Sequence, residues 1–505
     1  MFKKIDFLLI TIIVSVTTLL WHGVLGQIIE GEGYYYFSPT NSFILPNGRV
    51  TDLLHNFDNF PRFFTYLLEN IYKGDPQGYV TTQFLIIILL FISIYFFIKS
   101  ITQKRLLALI ATLYMAANYT GDFQFFARGH FQWFTQRVPE FFPILISVFF
   151  LYKYLLNQKL KNYFFSLVFF TLAIFMTHYT TLFLPLYPAL MLSFCFFPRK
   201  TKKQSIKLIL LSIPFVVTNY LIVSNSSLSL ETIKPHQTLL ESILLASRDI
   251  FDKISFQLTV VTIPFSVTKF ISQIMKENPQ QIIPKLIIPT YMLCTFIGYF
   301  LYKRRFLYFN LVVACFLALL SVLFLNVYLG RIIVFNEVEQ GRYYFIPGFY
   351  VGIIFASFLY EVLIKPRKMF GYIILGVLLA CWIIPNTNFA WRKIHDSQRF
   401  YTGGRLLFQK LDKVKNEIPA NSILMLPNPL MPLGEDFLKK YYSGQNTKFL
   451  FIDSKWKSKI PEGFDLNKLY VFDFNEEYDR GGNARLQFIS VVDKSQDYRK
   501  LFLAK

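Results

Sequence analysis

Four stretches, Phe84–Ile98, Ile209–Val223, Phe306–Leu329 and Tyr372–Ile384, contain no charged side chain, and nothing else in the sequence constrains the fold as strongly. With their flanks they are long enough to cross bilayer hydrocarbon, which takes about 20 apolar residues in a helix. Segments of the same kind bring the expected total to roughly eleven spans. Their expected limits are 6–25, 79–98, 106–120, 139–156, 162–177, 180–197, 207–224, 285–302, 306–329, 343–363 and 369–386, with the fifth and sixth close enough to form a tight hairpin. A chain that is 54% hydrophobic and only 16% charged is too apolar for an ordinary soluble enzyme. The predicted fold class is therefore an α-helical polytopic membrane protein.

The formal charge of +21 would also suit a nucleic-acid binder, but its placement excludes that reading. The basic clusters are Lys3/Lys4, Lys99/Lys104/Arg105, Lys153/Lys159/Lys161, Arg199/Lys200/Lys202/Lys203/Lys207, Lys303/Arg304/Arg305 and Lys365/Arg367/Lys368. All fall in alternate loops, on one side of the expected membrane. The excess of Lys and Arg in cytoplasmic loops then puts the N-terminus inside and, with an odd number of spans, the C-terminus outside. A plasma (inner) membrane location with multiple passes is expected, and membrane lipids, through anionic headgroups, are a sufficient partner for these clusters. The first apolar run is longer than a usual signal-peptide core, so an uncleaved span is expected. Cys195, Cys294, Cys315 and Cys381 all lie in expected spans and read as small buried apolar residues.

This topology divides the chain into a transmembrane domain, 1–386, and an extracytoplasmic domain, 387–505. The outer loops are 26–78, 121–138, 225–284 and 330–342. Segment 254–274 is hydrophobic but contains Pro264 and several polar residues, and it reads as re-entrant or interfacial. As a full span it would invert every later loop and put Lys303/Arg304/Arg305 outside. In the tail, charges of both signs appear and short apolar runs alternate with helical patterns. Helices are expected at Ser397–Asn416 and Gly434–Tyr442, and strands at Ser422–Leu426, Lys448–Ile452 and Leu469–Phe474, which makes a small α/β domain. Asp473, Glu476, Glu477 and Asp479 read as an acidic, solvated loop.

The middles of the spans hold almost no ionisable residues, which argues against an ion-coupled transporter. The polar residues collect at the outer loops. Directly after the first span comes Glu30-Gly31-Glu32-Gly33-Tyr34-Tyr35-Tyr36. The glycines disfavour helix, and in an extended chain residues two apart point the same way. Two carboxylates on one face can divide into a general base and its neighbour, or hold a divalent cation with a histidine. No ligand spacing demands a metal, and no cofactor is expected. The same residues also suit a hydrophilic exit from a helix followed by an aromatic belt.

Further motifs follow in order: Asn59-Phe60-Pro61-Arg62-Phe63-Phe64-Thr65-Tyr66, Tyr72-Lys73-Gly74-Asp75-Pro76-Gln77-Gly78-Tyr79, Gly129-His130-Phe131-Gln132-Trp133-Phe134-Thr135-Gln136-Arg137 and Gly341-Arg342-Tyr343-Tyr344-Phe345-Ile346-Pro347. With the acidic loop before them, they resemble the GT-C type of membrane glycosyltransferase, in particular its O-mannosyltransferase-like members. The resemblance covers about half of the chain, mostly 20–200 and 331–364, and is carried by the order of the motifs against the spans. The family's acidic pair is usually rich in Asp, whereas this chain has Glu-Gly-Glu.

The resemblance implies transfer of a sugar from a polyprenyl-phosphate donor to a glycan, lipid or protein acceptor on the outer side of the membrane. Glu32, with Glu30 as second choice, would take the proton of the acceptor hydroxyl. Arg128, Arg137 and Arg342 would receive the lipid phosphate as it leaves. His130 and His178 would bond phosphate or sugar, and Glu339, near Glu337 and Arg342, would complete the site or neutralise it. Two other classes compete. A lipid-linked glycan flippase or other transporter predicts a charged path through the bundle, and a non-catalytic assembly protein predicts Glu30 and Glu32 apart and facing water.

Overall fold

In a computed structural model of the chain, the residues described are 4–22, 76–117, 126–176, 182–196, 202–224, 308–328, 345–366, most of 369–388, four strands between 423 and 493, and a few isolated positions. Ten α-helices order this part: α1 Lys4–Trp21, α2 Pro76–Thr102, α3 Arg105–Ala117, α4 Phe126–Asn157, α5 Leu160–Met176, α6 Leu186–Phe196, α7 Lys202–Leu210, α8 Ile213–Ser224, α9 Phe309–Tyr328 and α10 Phe345–Leu359. A π-turn, Tyr360–Ile364, closes α10. Among the described residues, five helical stretches are long and apolar enough to cross a membrane: Lys4–Trp21, Phe84–Thr102, Lys203–Leu221, Phe345–Ile364 and Gly371–Asn388. The protein is thus an integral membrane protein, helical through its first 390 residues as far as these are described.

Local chemistry sets the helix boundaries. Pro76 opens α2, a position where its missing N–H costs nothing and its fixed φ suits the helix. Pro214 interrupts the seventh expected span. It cannot donate to Leu210, so the chain divides into α7 and α8 around a turn at 211–212. The Leu211 carbonyl exposed there accepts a bond from the Tyr163 hydroxyl at 2.9 Å, which supplies the partner that a backbone group in lipid requires.

Two turns at one end of the bundle are built alike, in a chain whose sequence shows no internal repeat. Between α2 and α3, Gln103 takes φ of 58°, its side chain donates to Ser100 O, and Thr102 Oγ1 accepts from the Lys104 amide. Between α4 and α5, Gln158 takes φ of 57°, its side chain donates to Leu155 O, and Asn157 Oδ1 accepts from the Lys159 amide. Thr-Gln-Lys and Asn-Gln-Lys thus make equivalent two-residue reversals. Each satisfies the last helical carbonyls from its own side chains.

Contacts fix the running directions. Asp6 of α1 meets Lys99 and Arg105, and Tyr308 meets Glu361. The Lys104 ammonium lies over the Tyr360 ring at 5.9 Å. Hence the start of α1, the end of α2, the start of α3, the start of α9 and the end of α10 share one end, the one that sequence charge makes the inner end. α4 and α6 run parallel, since Phe141 packs on Phe183, Ser147 on Tyr187 and Tyr152 on Phe194. α7 starts beside the end of α6, where Cys195 Sγ contacts Ser205 O. α8 therefore ends at the outer end and α9 begins at the inner end, so the chain between them crosses the bundle once, in net. Expected span 285–302 lies almost wholly outside the described residues. In segment 254–274, Leu258 and Val261 are buried and the Val261 carbonyl accepts from Tyr114 at 2.9 Å. The rest of that segment lies mostly outside the described residues.

The core is aromatic and close-packed. Tyr187 stacks on Phe215 at 4.5 Å and meets Phe170 edge-on at 4.6 Å, joining α5, α6 and α8. Ser147 donates to Ser166 O at 2.6 Å and accepts from the Tyr187 hydroxyl at 2.8 Å, so α4, α5 and α6 share one buried polar knot. At Gly352 the helices α3 and α10 approach so closely that a Cβ would stand 3.1 Å from Tyr114 Cδ1. Trp382 stacks on Tyr114 at 5.0 Å and docks the last apolar helical stretch. Cys195 and Cys315 are buried as expected, but Cys381 is exposed on that stretch, because a helix at the edge of the bundle turns part of its surface outward. Cys294 lies outside the described residues.

In the tail, β1 Ile423–Leu426, β2 Lys448–Phe451, β3 Leu469–Tyr478 and β4 Ala484–Asp493 form one sheet in the order β2-β1-β3-β4. β1 is parallel to both β2 and β3, and β4 is antiparallel to β3. Parallel neighbours need a crossover of a dozen or more residues, and the segments between these strands provide it. The two expected helices of the tail lie outside the described residues. β3 runs on through Asp473, Glu476 and Glu477, which are strand positions and not a loop; Glu477 is in register with Arg485. β4 is an additional strand.

Candidate active site

Of the expected site residues, the structure describes the backbone of three. The helix α4 begins at Phe126, so Arg128, His130 and Arg137 are helical positions. Within the expected outer loop 121–138, residues 126–138 are helical and continuous with the span that follows. Gly129 and Pro139 read as breakers, yet the helix continues through Pro139 and Pro143. Their missing N–H groups are four residues apart, and a lipid-embedded helix tolerates such losses when neighbours compensate. Positions 130 and 137 are two turns apart and therefore share a helix face, whereas 128 is on the other side. Glu30, Glu32, His178, Glu339 and Arg342 lie outside the described residues.

What the structure does describe is the packing beneath these positions. Phe141 meets Phe183 edge-on at 4.7 Å and Phe345 at 5.1 Å, and Phe183 also packs against Phe349 and Tyr350. Phe141 and Phe183 are fully buried and Phe345 nearly so. Rings in such edge-to-face contact lock their helices in register. Each ring closely follows a candidate residue in the chain: Phe141 follows Arg137 by one helical turn, Phe183 follows His178 and Phe345 follows Arg342. The first turn of α10, the start of α6 and the outer half of α4 thus meet at one level. Tyr350 adds a hydroxyl that reaches Leu182 O at 3.4 Å. Trp21, at the outer end of α1, is buried too.

No family model matches the chain, and no curated protein matches it. Among solved structures it is similar to the archaeal oligosaccharyltransferase AglB from Archaeoglobus fulgidus, solved in complex with an inhibitory peptide and a dolichol-phosphate. That similarity has a TM-score of 0.44 and 10% sequence identity, over 98% of this chain and 75% of that one.

The inner end holds the polar cluster that sequence reading missed. Asp6 is 1% exposed. Its Oδ1 accepts from Lys99 Nζ and from Arg105 Nε, both at 2.8 Å, and from the Tyr95 hydroxyl at 3.1 Å. Nearby, Glu361 accepts from Tyr308 at 2.8 Å and pairs with Lys365 at 2.7 Å. The basic loops read as lipid-facing are thus partly satisfied within the protein. The signal was present: an aspartate within the first apolar run is costly in a membrane unless it is paired. Among the described residues, no group of three His, Cys, Asp or Glu side chains could hold a metal.

Proposed function

We propose that this chain is a membrane glycosyltransferase that moves a sugar from a polyprenyl-phosphate donor to an acceptor on the outer side of the membrane. Glu32, seconded by Glu30, takes the proton of the acceptor hydroxyl as its oxygen bonds to the anomeric carbon. The bond from that carbon to the phosphate oxygen breaks, and the electron pair leaves with the lipid phosphate. Arg137 and Arg342 oppose the charge that develops there, whereas Arg128, on the other side of α4 from position 137, falls outside this set. His130 and His178 bond phosphate or sugar, and Glu339 orients Arg342. Because the arginines supply the positive charge, the reading requires no metal.

The observation that carries this proposal is the packing of Phe141, Phe183 and Phe345. It joins three segments that lead, within a few residues, to Arg137, His178 and Arg342. At no more than about 3.6 Å per residue, chain length keeps Arg342 within roughly 11 Å of Phe345. Arg137 is one turn, about 6 Å, beyond Phe141. These limits are compatible with one site at the membrane boundary, and the order of the motifs in the sequence gives it its chemistry.

The test incubates membranes containing the protein with a panel of labelled polyprenyl-phosphate sugars and compares wild type with Glu32→Gln and Glu30→Gln. Transfer that is lost in Glu32→Gln supports the base assignment. Equal transfer in both variants overturns that assignment, and no transfer from any donor by the wild type overturns the enzyme reading.

A further inference from the structure

The inner rim carries a second built site, which sugar transfer does not use and whose evidence is independent of that reading. Its centre is the buried carboxylate of Asp6, which holds two cations on a single oxygen, Lys99 Nζ and Arg105 Nε, while Arg105 Nη2 reaches the other oxygen at 3.4 Å. Side by side in the absence of a counter-charge, these cations would repel each other. Asp6 fixes them both. It does not exhaust them, since an ammonium has three donors and a guanidinium five. Lys99 and Arg105 remain 26% and 32% exposed, so part of each faces the surface.

Lys104 is exposed and adjoins them over the Tyr360 ring. The carboxylate next along, Glu361, is occupied by Lys365 and Tyr308. Two cationic side chains therefore share one buried carboxylate, and with Lys104 beside them the surface they present is positive. They also stand at the start of α3, whose dipole favours an anion. Directly beside this cluster, α1 exposes Ile5, Phe7 and Leu8, at 55%, 73% and 58%. In a membrane those side chains meet acyl chains.

We infer that Lys99, Lys104 and Arg105 form a binding site for the phosphate of an anionic phospholipid, with Asp6 as the buried counter-ion that pins two of its cations. The apolar flank of α1 selects a lipid over a free phosphate, because it offers the tails a surface where the charges hold the headgroup. The turn between α4 and α5 supplies the contrast. It has the same local build and exposes Lys159 and Lys161, but among the described residues no carboxylate pairs with either.

The experiment purifies the full chain and measures retained phosphatidylglycerol against phosphatidylcholine of equal chain length by native mass spectrometry. The wild type is expected to retain phosphatidylglycerol selectively. Lys104→Gln, which leaves the Asp6 contacts in place, is expected to lower retention about fivefold, the effect of one basic residue near an anionic surface. Lys99→Gln is expected to lower it by a similar factor with Arg105 still on Asp6, and Lys159→Gln/Lys161→Gln to leave it unchanged. The proposal is overturned if Lys104→Gln and Lys99→Gln both retain lipid as the wild type does. It is equally overturned if the Lys159/Lys161 variant loses as much, since binding would then belong to the whole rim. Displacement by millimolar inorganic phosphate would show a free-anion site and overturn the lipid assignment. Size-exclusion profiles matching wild type confirm that each variant is folded.

Discussion

The two ends of the bundle treat charge in opposite ways. At the inner end the acids are turned inward and consumed: Asp6 and Glu361 are each held by a lysine and a tyrosine, and Asp6 also by Arg105. At the outer end the described segments carry buried aromatic rings, Trp21, Phe141, Phe183 and Phe345, and Arg128 and Arg137 lie on α4 itself. The first arrangement spends charge on holding helices together. The second, among the described residues, holds them with rings. The proposed sugar transfer requires that division, because a carboxylate tied into a structural ion pair is a poor proton acceptor.

The comparison can be broken most directly at its two acids. Glu32→Gln is expected to lower sugar transfer by about 100-fold or more, the usual contribution of a general base, with the thermal midpoint in detergent unchanged; a large loss of stability would make this carboxylate structural. Asp6→Asn is expected to do the reverse. It removes charge-assisted bonds from Lys99 and Arg105 and destabilises the protein by about 2 kcal/mol, read as a lower unfolding temperature, while transfer per folded molecule stays near wild type. A loss of transfer without a loss of stability would bring the inner cluster into the reaction.

Two smaller changes test the ring-and-close-packing side. Gly352→Val forces a side chain against Tyr114 and the Ala111 carbonyl and is expected to cost about 1–3 kcal/mol, measured by thermal unfolding. Tyr187→Phe keeps the stacking on Phe215 but removes the bond to Ser147. In membrane proteins such bonds average about 0.6 kcal/mol, so the expected shift in midpoint is slight.

Much of the helical part was legible in the sequence because lipid leaves the chain few options. Uncharged runs gave α2, α9 and α10 to within a few residues of their observed limits. What was missed came from long-range pairing. Asp6 sits at the edge of an apolar run and reads as its polar flank, and only the fold brings Lys99 and Arg105 to it. The expected span 139–156 covers only the apolar part of α4, whereas the helix extends back to Phe126 through Gly129 and Pro139. β4 is an alternating run, Ala484-Arg485-Leu486-Gln487-Phe488, after a glycine pair, so the hairpin signal was available. The irregular register at Asp473 and Phe474 disturbs the pattern on its partner. For the site itself, the sequence supplied residue types and order, and the structure supplied the rings on which three of those segments meet.

The pairing of Asp6 with Arg105 has a consequence for biogenesis. The two residues are 99 positions apart, and at roughly 5–20 residues per second the ribosome takes several seconds to cover that distance. During that interval α1 carries an uncompensated carboxylate at its leading edge, which holds it at the headgroup level instead of letting it settle. The hairpins α2–α3 and α4–α5, closed by their two-residue turns, can pack as soon as they emerge. The first helix to be synthesised thus gains the cationic partners of its carboxylate only when the end of α2 brings Lys99 and the start of α3 brings Arg105.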